Sequence, residues 1–294
     1  MKDMNTKRLR LVFLALGLIL FTASALYAQF VTSANATLGV RQFNGTLGSS
    51  KFTEYRDLPT GLFMDVFSIN FMNSDYTNVL SIWGSHVGQR DQNVAAQLGV
   101  RGKFKLELEW EQTPHNYTNT ARTVFNGAGG AVLTMPVLLR SQLRTLLNTD
   151  ISPAPGLQFD TLAVTTLISG VVNNVDIVSR REKAKAAFAY SPTEEIGLKV
   201  QYSNERRSGT KPLGVNFAFN PIEVPEPTAY RTQEALTNLE YATRDWNIQL
   251  GYSASIFTNK NDVLIWDNPF RETDPVNVPS RADLICTRTI PHRV

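Results

Sequence analysis

Cysteine is almost missing: Cys286 is the only one in 294 residues. No intramolecular disulfide can form, and neither a Cys-x-x-Cys-His haem attachment nor a zinc knuckle can be built. Stability must come from burial and from sheet hydrogen bonding. An excess of charge is lacking as well. The formal net charge is +3, and the first 28 residues, with Lys2, Lys7, Arg8 and Arg10 against Asp3, account for all of it. The remainder of the chain is neutral and carries no basic stripe, which excludes a nucleic-acid binder, because phosphate contacts need clustered Lys and Arg. Long apolar runs are lacking beyond the N-terminus, so no later segment can cross a membrane as a helix. Neither a Gly-x-Ser-x-Gly elbow nor a Gly-x-x-x-x-Gly-Lys phosphate cradle occurs, and the glycine-rich "FNGAGGAV" at 125–132 reads as a flexible loop tip.

The one apolar run, Leu11 to Leu20, follows basic residues and precedes small-residue cleavage steps at Ala23-Ser24-Ala25 or Ala28-Gln29. This is the pattern of a secretory signal peptide over 1–28, and the run is shorter than the roughly 20 residues an anchor requires. The mature chain is expected to leave the cytoplasm.

Beyond it, apolar residues recur at period two. In "KFKLELEWEQ" (103–112), Phe104, Leu106, Leu108 and Trp110 alternate with Lys103, Lys105, Glu107, Glu109 and Glu111, giving one apolar and one charged face. Strands are expected over 93–100 and 103–112. A second hairpin is expected from Ala184–Tyr190 to Ile196–Tyr202, and a third between Glu234 and Phe257 with its turn at Thr243–Asp245. "NERR" at 204–207 reads as a strand end entering a solvated loop. Short turns on one side and long loops on the other mark an outer-membrane barrel. The stretch 118–179 is the weakest in β signal. There Leu139, Leu143, Leu146 and Leu147, and then Phe159, Leu162 and Thr166, fall at helical spacing, which predicts short helices in a long loop over a satellite apolar cluster rather than a functional plug.

An apolar face backed by a charged one suits either a soluble sheet or a barrel between lipid and water. Export without disulfides, strands of about ten residues, and aromatics near strand ends (Tyr55, Tyr76, Trp83, Trp110, Tyr117, Tyr190, Tyr202, Trp246, Trp266) favour the barrel. The expected fold class is therefore all-β: an antiparallel transmembrane β-barrel of the outer membrane, partial, of about ten strands. His86 and His115 stand alone, without a second ligand or a thioether site, and read as hydrogen-bonding or interfacial residues rather than haem ligands. His292 carries no weight. Glu107, Glu109 and Glu111 form a regular charged stripe beside Lys103 and Lys105, which is a lining rather than an acid–base pair.

Five further segments carry a family resemblance: "YRDLPTGLF" (55–63), "EWEQTPHNYTNTARTVF" (109–125), "YSNERRSGTKPLGVNF" (202–217), "IEVPEPTAYRT" (222–232) and "IWDNPFR" (265–271). In this order they resemble the MtrB/PioB family of outer-membrane β-barrels associated with decahaem cytochromes. The resemblance implies a non-enzymatic barrel in the bacterial cell outer membrane that sheaths a multihaem c-type cytochrome and lets electrons cross. The partners it implies are that periplasmic or outer-membrane cytochrome and the surrounding lipid. The chain itself would hold no cofactor, the haem being carried by the partner. On this reading Phe104, Leu106, Leu108 and Trp110 face lipid, while Lys103, Lys105, Glu107, Glu109 and Glu111 face the lumen as candidate partner contacts. "NERR" is a weaker candidate for such contact. A general diffusion porin without a haem partner is the alternative, and an exported β-sandwich hydrolase a more distant one. The resemblance also implies more strands than this chain supplies. Residues 29–281 are expected to be the N-terminal part of a barrel. The tail 282–294 loses the alternation, suggesting a frame shift or broken gene near Leu284 and an unpaired closing edge.

Overall fold

The computed structural model describes residues 30–43, 49–148, 161–217, 220–268 and 285–289, so the expected signal segment and most of the 282–294 tail lie outside it. In chain order the elements are β1 (Phe30–Arg41), β2 (Gly61–Asn73), β3 (Asn78–Val87), β4 (Asn93–Val100), β5 (Phe104–Thr123), β6 (Val132–Leu133), α1 (Val137–Asn148), α2 (Thr161–Ser169), β7 (Asn173–Tyr190), β8 (Ile196–Phe217), β9 (Asn220–Ala242), β10 (Asn247–Asn259), β11 (Val263–Asp267) and β12 (Ile285–Thr289). Nine strands form one sheet in the order β1-β2-β3-β4-β5-β7-β8-β9-β10, each antiparallel to its neighbours. It is an antiparallel meander with β1 and β10 at its edges, interrupted once by the insertion between β5 and β7.

The three expected hairpins are present, with tight turns at 101–103, 191–195 and 243–246, and a fourth at 74–77. Gly102 occupies the left-handed region at φ 75°, which the three-residue turn between β4 and β5 requires. Lys103 belongs to this turn and not to the strand, so the charged stripe of β5 begins at Lys105. The opposite connections are not uniformly long. The one at 88–92 is short, and β8 and β9 run on until only residues 218 and 219 separate them. Four strands also exceed the expected length, at 20, 18, 22 and 23 residues for β5, β7, β8 and β9. Their outer halves have lost the apolar alternation, but ladder hydrogen bonding does not need it. "NERR" accordingly lies inside β8, with Arg206 opposite Arg231 and Arg207 opposite Tyr230.

The insertion folds as expected into short helices over an apolar cluster. Phe125, Leu133, Met135, Leu139, Leu143, Val224, Leu264 and Trp266 form the cluster, with Leu133 and Leu264 fully buried. A small sheet in the order β12-β11-β6 completes this cap. "FNGAGGAV" is not a free loop tip. Phe125 is buried, Asn126 bridges to Thr134, and Gly127 and Gly129 turn the chain at φ 86° and 88°. Trp266 is a buried cap residue rather than an interfacial aromatic.

Candidate functional site

The candidate site is the wall itself, because register carries the two faces of β5 across the sheet. Opposite Leu106 lie Leu98 on β4 and Phe188 on β7, and opposite Phe188 lies Val200 on β8. Tyr190 opposes Leu198, Leu198 opposes Leu239, and Leu239 opposes Leu250. Each pairing joins side chains on the same face, so one apolar surface runs from β4 to β10. Leu108 is 48% exposed, Leu250 69% and Tyr252 71%, and nothing among the described residues covers them. A continuous uncovered apolar sheet face of this extent belongs against lipid or a partner rather than water.

On β2 a bulge preserves this face. The register with β1 shifts between Thr37 and Leu38, whose partners are Val66 and Met64, so Asp65 is skipped. Phe67, Ile69 and Phe71 before the shift and Leu62 and Met64 after it thereby lie on one side. Trp83 is different. It opposes Ala95, and Ala95 opposes Glu109, so this tryptophan lies on the charged face.

The charged face is closely self-paired. Lys105 contacts Glu107, Lys185 lies 3.4 Å from Glu109, and Arg181 bridges Glu111 at 3.5 Å and Glu205 at 3.1 Å. Arg207 reaches Glu205 at 3.6 Å, and Ser203 donates to Glu234 at 3.2 Å. Between the tight turns and the row of Arg181, one same-face row past Glu111, the same parity on β5 to β10 carries Lys105, Arg181, Lys183, Lys185, Lys199 and Arg207. The opposing carboxylates are Glu107, Glu109, Glu111, Glu205, Glu234 and Glu240. The two sets balance, leaving a polar wall of no net charge. Sequence reasoning found the β5 members by alternation. The cations of β7 and β8 that neutralise them could be found only by pairing the strands.

Both histidines among the described residues are held by carboxylates. His86, at φ 50°, lies with Nε2 3.3 Å from Asp65 and Nδ1 3.1 Å from Asp91. His115 Nε2 lies 3.2 Å from Glu54, and its ring is flanked by Tyr55 at 4.6 Å and Tyr117 at 3.9 Å between centroids. The segment 49–57 is thus clasped to β5: the Asn116 amide donates to the Glu54 carbonyl at 2.8 Å, and Ser50 Oγ donates to the Tyr117 carbonyl at 3.1 Å. The Lys51 ammonium, 3.0 Å away, holds the Glu54 carboxyl below the usual carboxylate range. Partial desolvation opposes that shift, and the His115 contact adds to it. Tyr55 and Tyr117, read from sequence as girdle aromatics, serve this clasp. No local sequence signal joins residues sixty positions apart.

The cap sits on the charged face's side of the sheet. Leu213, Val215, Ile222 and Val224 pack in or against its cluster. On β8 and β9 these positions share the parity of Arg207 and Glu226. Pro212, Gly214 and Asn216, of the other parity, are exposed. Asp267 anchors β11 by accepting from the Met135 amide at 2.6 Å and by facing buried Arg140 at 3.9 Å.

An antiparallel meander of tilting length, tight turns at one end, an uncovered apolar face and a polar face of balanced charge together define an outer-membrane β-barrel protein. No helix among the described residues is long and apolar enough to cross a membrane. Comparison with known proteins agrees, and the chain belongs to the MtrB/PioB family: the family model described as "Putative outer membrane beta-barrel porin, MtrB/PioB" matches residues 47–285. The family is one of porin-like barrels of the outer membrane and not of enzymes. Outer membrane protein MtrB of Shewanella baltica (strain OS185) is 22% identical over 193 residues, covering 66% of this chain and 25% of that protein. The matched region therefore spans a quarter of the relative's length.

Proposed function

We propose that this chain is wall, with Phe104, Leu106, Leu108 and Trp110 toward lipid and Lys105, Glu107, Glu109 and Glu111 toward the lumen, and that the lumen sheaths a multihaem c-type cytochrome as a transmembrane electron conduit. The observation that carries the orientation is the apolar surface continuous from β4 to β10 and left uncovered by the described residues. A surface of that kind is stable against hydrocarbon and costly in water. The sheath reading draws on the five family motifs and on the chemistry of the opposite wall. Its cations and carboxylates balance in number and most are paired across the strands, so a folded polar protein can lie against it without meeting an excess of either sign. Haem in this reading belongs to the partner, and the chain supplies position and insulation.

Co-expression with a multihaem cytochrome, followed by affinity purification of this chain from detergent-solubilised outer membranes, tests the proposal. Haem absorbance that co-elutes and survives high salt supports the sheath. A haem-free barrel that passes ions in planar bilayers would support the second reading, a general diffusion porin, with which the word porin in the family's description is consistent.

A further inference from the structure

Immediately beyond the apolar band the outer face changes character. The last band row runs from Trp110 on β5 through Ala184 and Asn204 to Gln233 and Ile256 on β10. Two positions further along the same face, Arg206 on β8 lies directly opposite Arg231 on β9. Arg180 on β7 and Lys260, whose amide donates to the Ala229 carbonyl beside them, occupy the row after that. The one carboxylate among these side chains is Glu182, and it is already engaged, 3.5 Å from Arg180 and accepting from Gln112 at 3.2 Å.

Like charges set directly across a strand pair repel, and the pairing is retained only where something offsets the cost. On the lumen side Arg207, one residue along, has Glu205 at 3.6 Å, whereas Arg206 faces another arginine. Arg206 has no ion pair or hydrogen bond among the described residues, and Arg231 has only the neutral Asn204 Oδ1 at 3.0 Å. Both guanidinium groups are exposed. An unneutralised, outward arginine pair at the boundary where an apolar band gives way to water lies at headgroup level. Guanidinium forks match phosphate oxygens bidentately.

We propose that Arg206 and Arg231, assisted by Arg180 and Lys260, bind the phosphate of a lipid headgroup of net negative charge on the outer surface of the wall, at its long-connection end. The proposal rests on the assignment of the apolar face to lipid. It is independent of any cytochrome.

The test is native mass spectrometry of the full chain in detergent with added phosphatidylglycerol or phosphatidylcholine. Arg206→Gln/Arg231→Gln is compared with Lys183→Gln/Lys199→Gln, which removes equal charge from the opposite face. The wild type should retain phosphatidylglycerol over phosphatidylcholine, and the outer double variant should lose that preference roughly tenfold while the inner one keeps it. In lipid-free detergent the outer variant should melt at the same temperature as the wild type or higher, since it removes repulsion, which separates lost binding from lost folding. Equal loss in both variants would reduce the effect to general charge and overturn the site. Loss confined to the inner variant would instead overturn the lipid-facing assignment. Displacement of the lipid by millimolar inorganic phosphate, with no preference between vesicles of the two lipids, would make this a free-phosphate site and overturn the headgroup.

Discussion

At the residue scale, neighbours on one strand are expected to behave oppositely. Leu108→Arg puts a charge into the middle of the apolar face and should cost roughly 2–4 kcal/mol with loss of assembly, whereas Glu107→Gln should leave assembly intact. The yield of heat-modifiable protein in outer membranes checks this, and equal sensitivity at both positions would contradict the assigned faces. A second prediction concerns the clasp. The folded carboxyl of Glu54 is held below its ordinary range, so its contribution is complete above that range and is lost as pH falls through the lowered value. The protection factor of the Asn116 amide, which donates to the Glu54 carbonyl, should fall on acidification through that window once the intrinsic pH dependence of exchange is divided out. With Glu54→Gln the protection factor should show no such fall. The alternating residues of β5 were legible because period two needs only local sequence. The clasp was not, since Tyr55 and His115 meet only through the path of an intervening meander.

At the element scale, the tight turn between β4 and β5 depends on a residue without a side chain. A Cβ at Gly99 would lie 2.5 Å from the Phe104 carbonyl oxygen, a backbone atom that cannot step aside without breaking the ladder. Gly99→Val should therefore destabilise this hairpin by roughly 1–3 kcal/mol, seen as a lower denaturant midpoint, while Gly214→Val, in open space, should be silent. Hairpin positions were legible from turn residues and alternation. Strand length was not. The outer halves of β8 and β9 carry charges and prolines that read as loop, and they are strands because each provides the other's hydrogen-bond partners. The same pairing moved "NERR" from a loop entrance to mid-strand, and it turned Trp83 onto the charged face.

At the scale of the whole molecule, the balance of charge on the polar wall has a measurable consequence. With the cations and carboxylates of that face equal in number, barrels reconstituted in planar bilayers under a salt gradient should show a reversal potential near zero, and Lys183→Gln/Lys199→Gln should shift it toward cation preference. An unshifted potential would mean that this face does not line the aqueous path. The sequence by itself determined the class: an exported, disulfide-free, antiparallel two-faced sheet of the outer membrane, because alternation, turn residues and signal-like patterning are local and survive in one dimension. It determined helices in the insertion too, from the spacing of Leu139 and Leu143. Only the tertiary structure decided which cation meets which carboxylate, that Asp65 is skipped to keep the apolar face whole, and that the cap lies on the polar side. It also decided that Arg206 and Arg231 stand face to face. Each of these depends on register between strands, and register arises from pairing across the sheet, which no single stretch of chain contains.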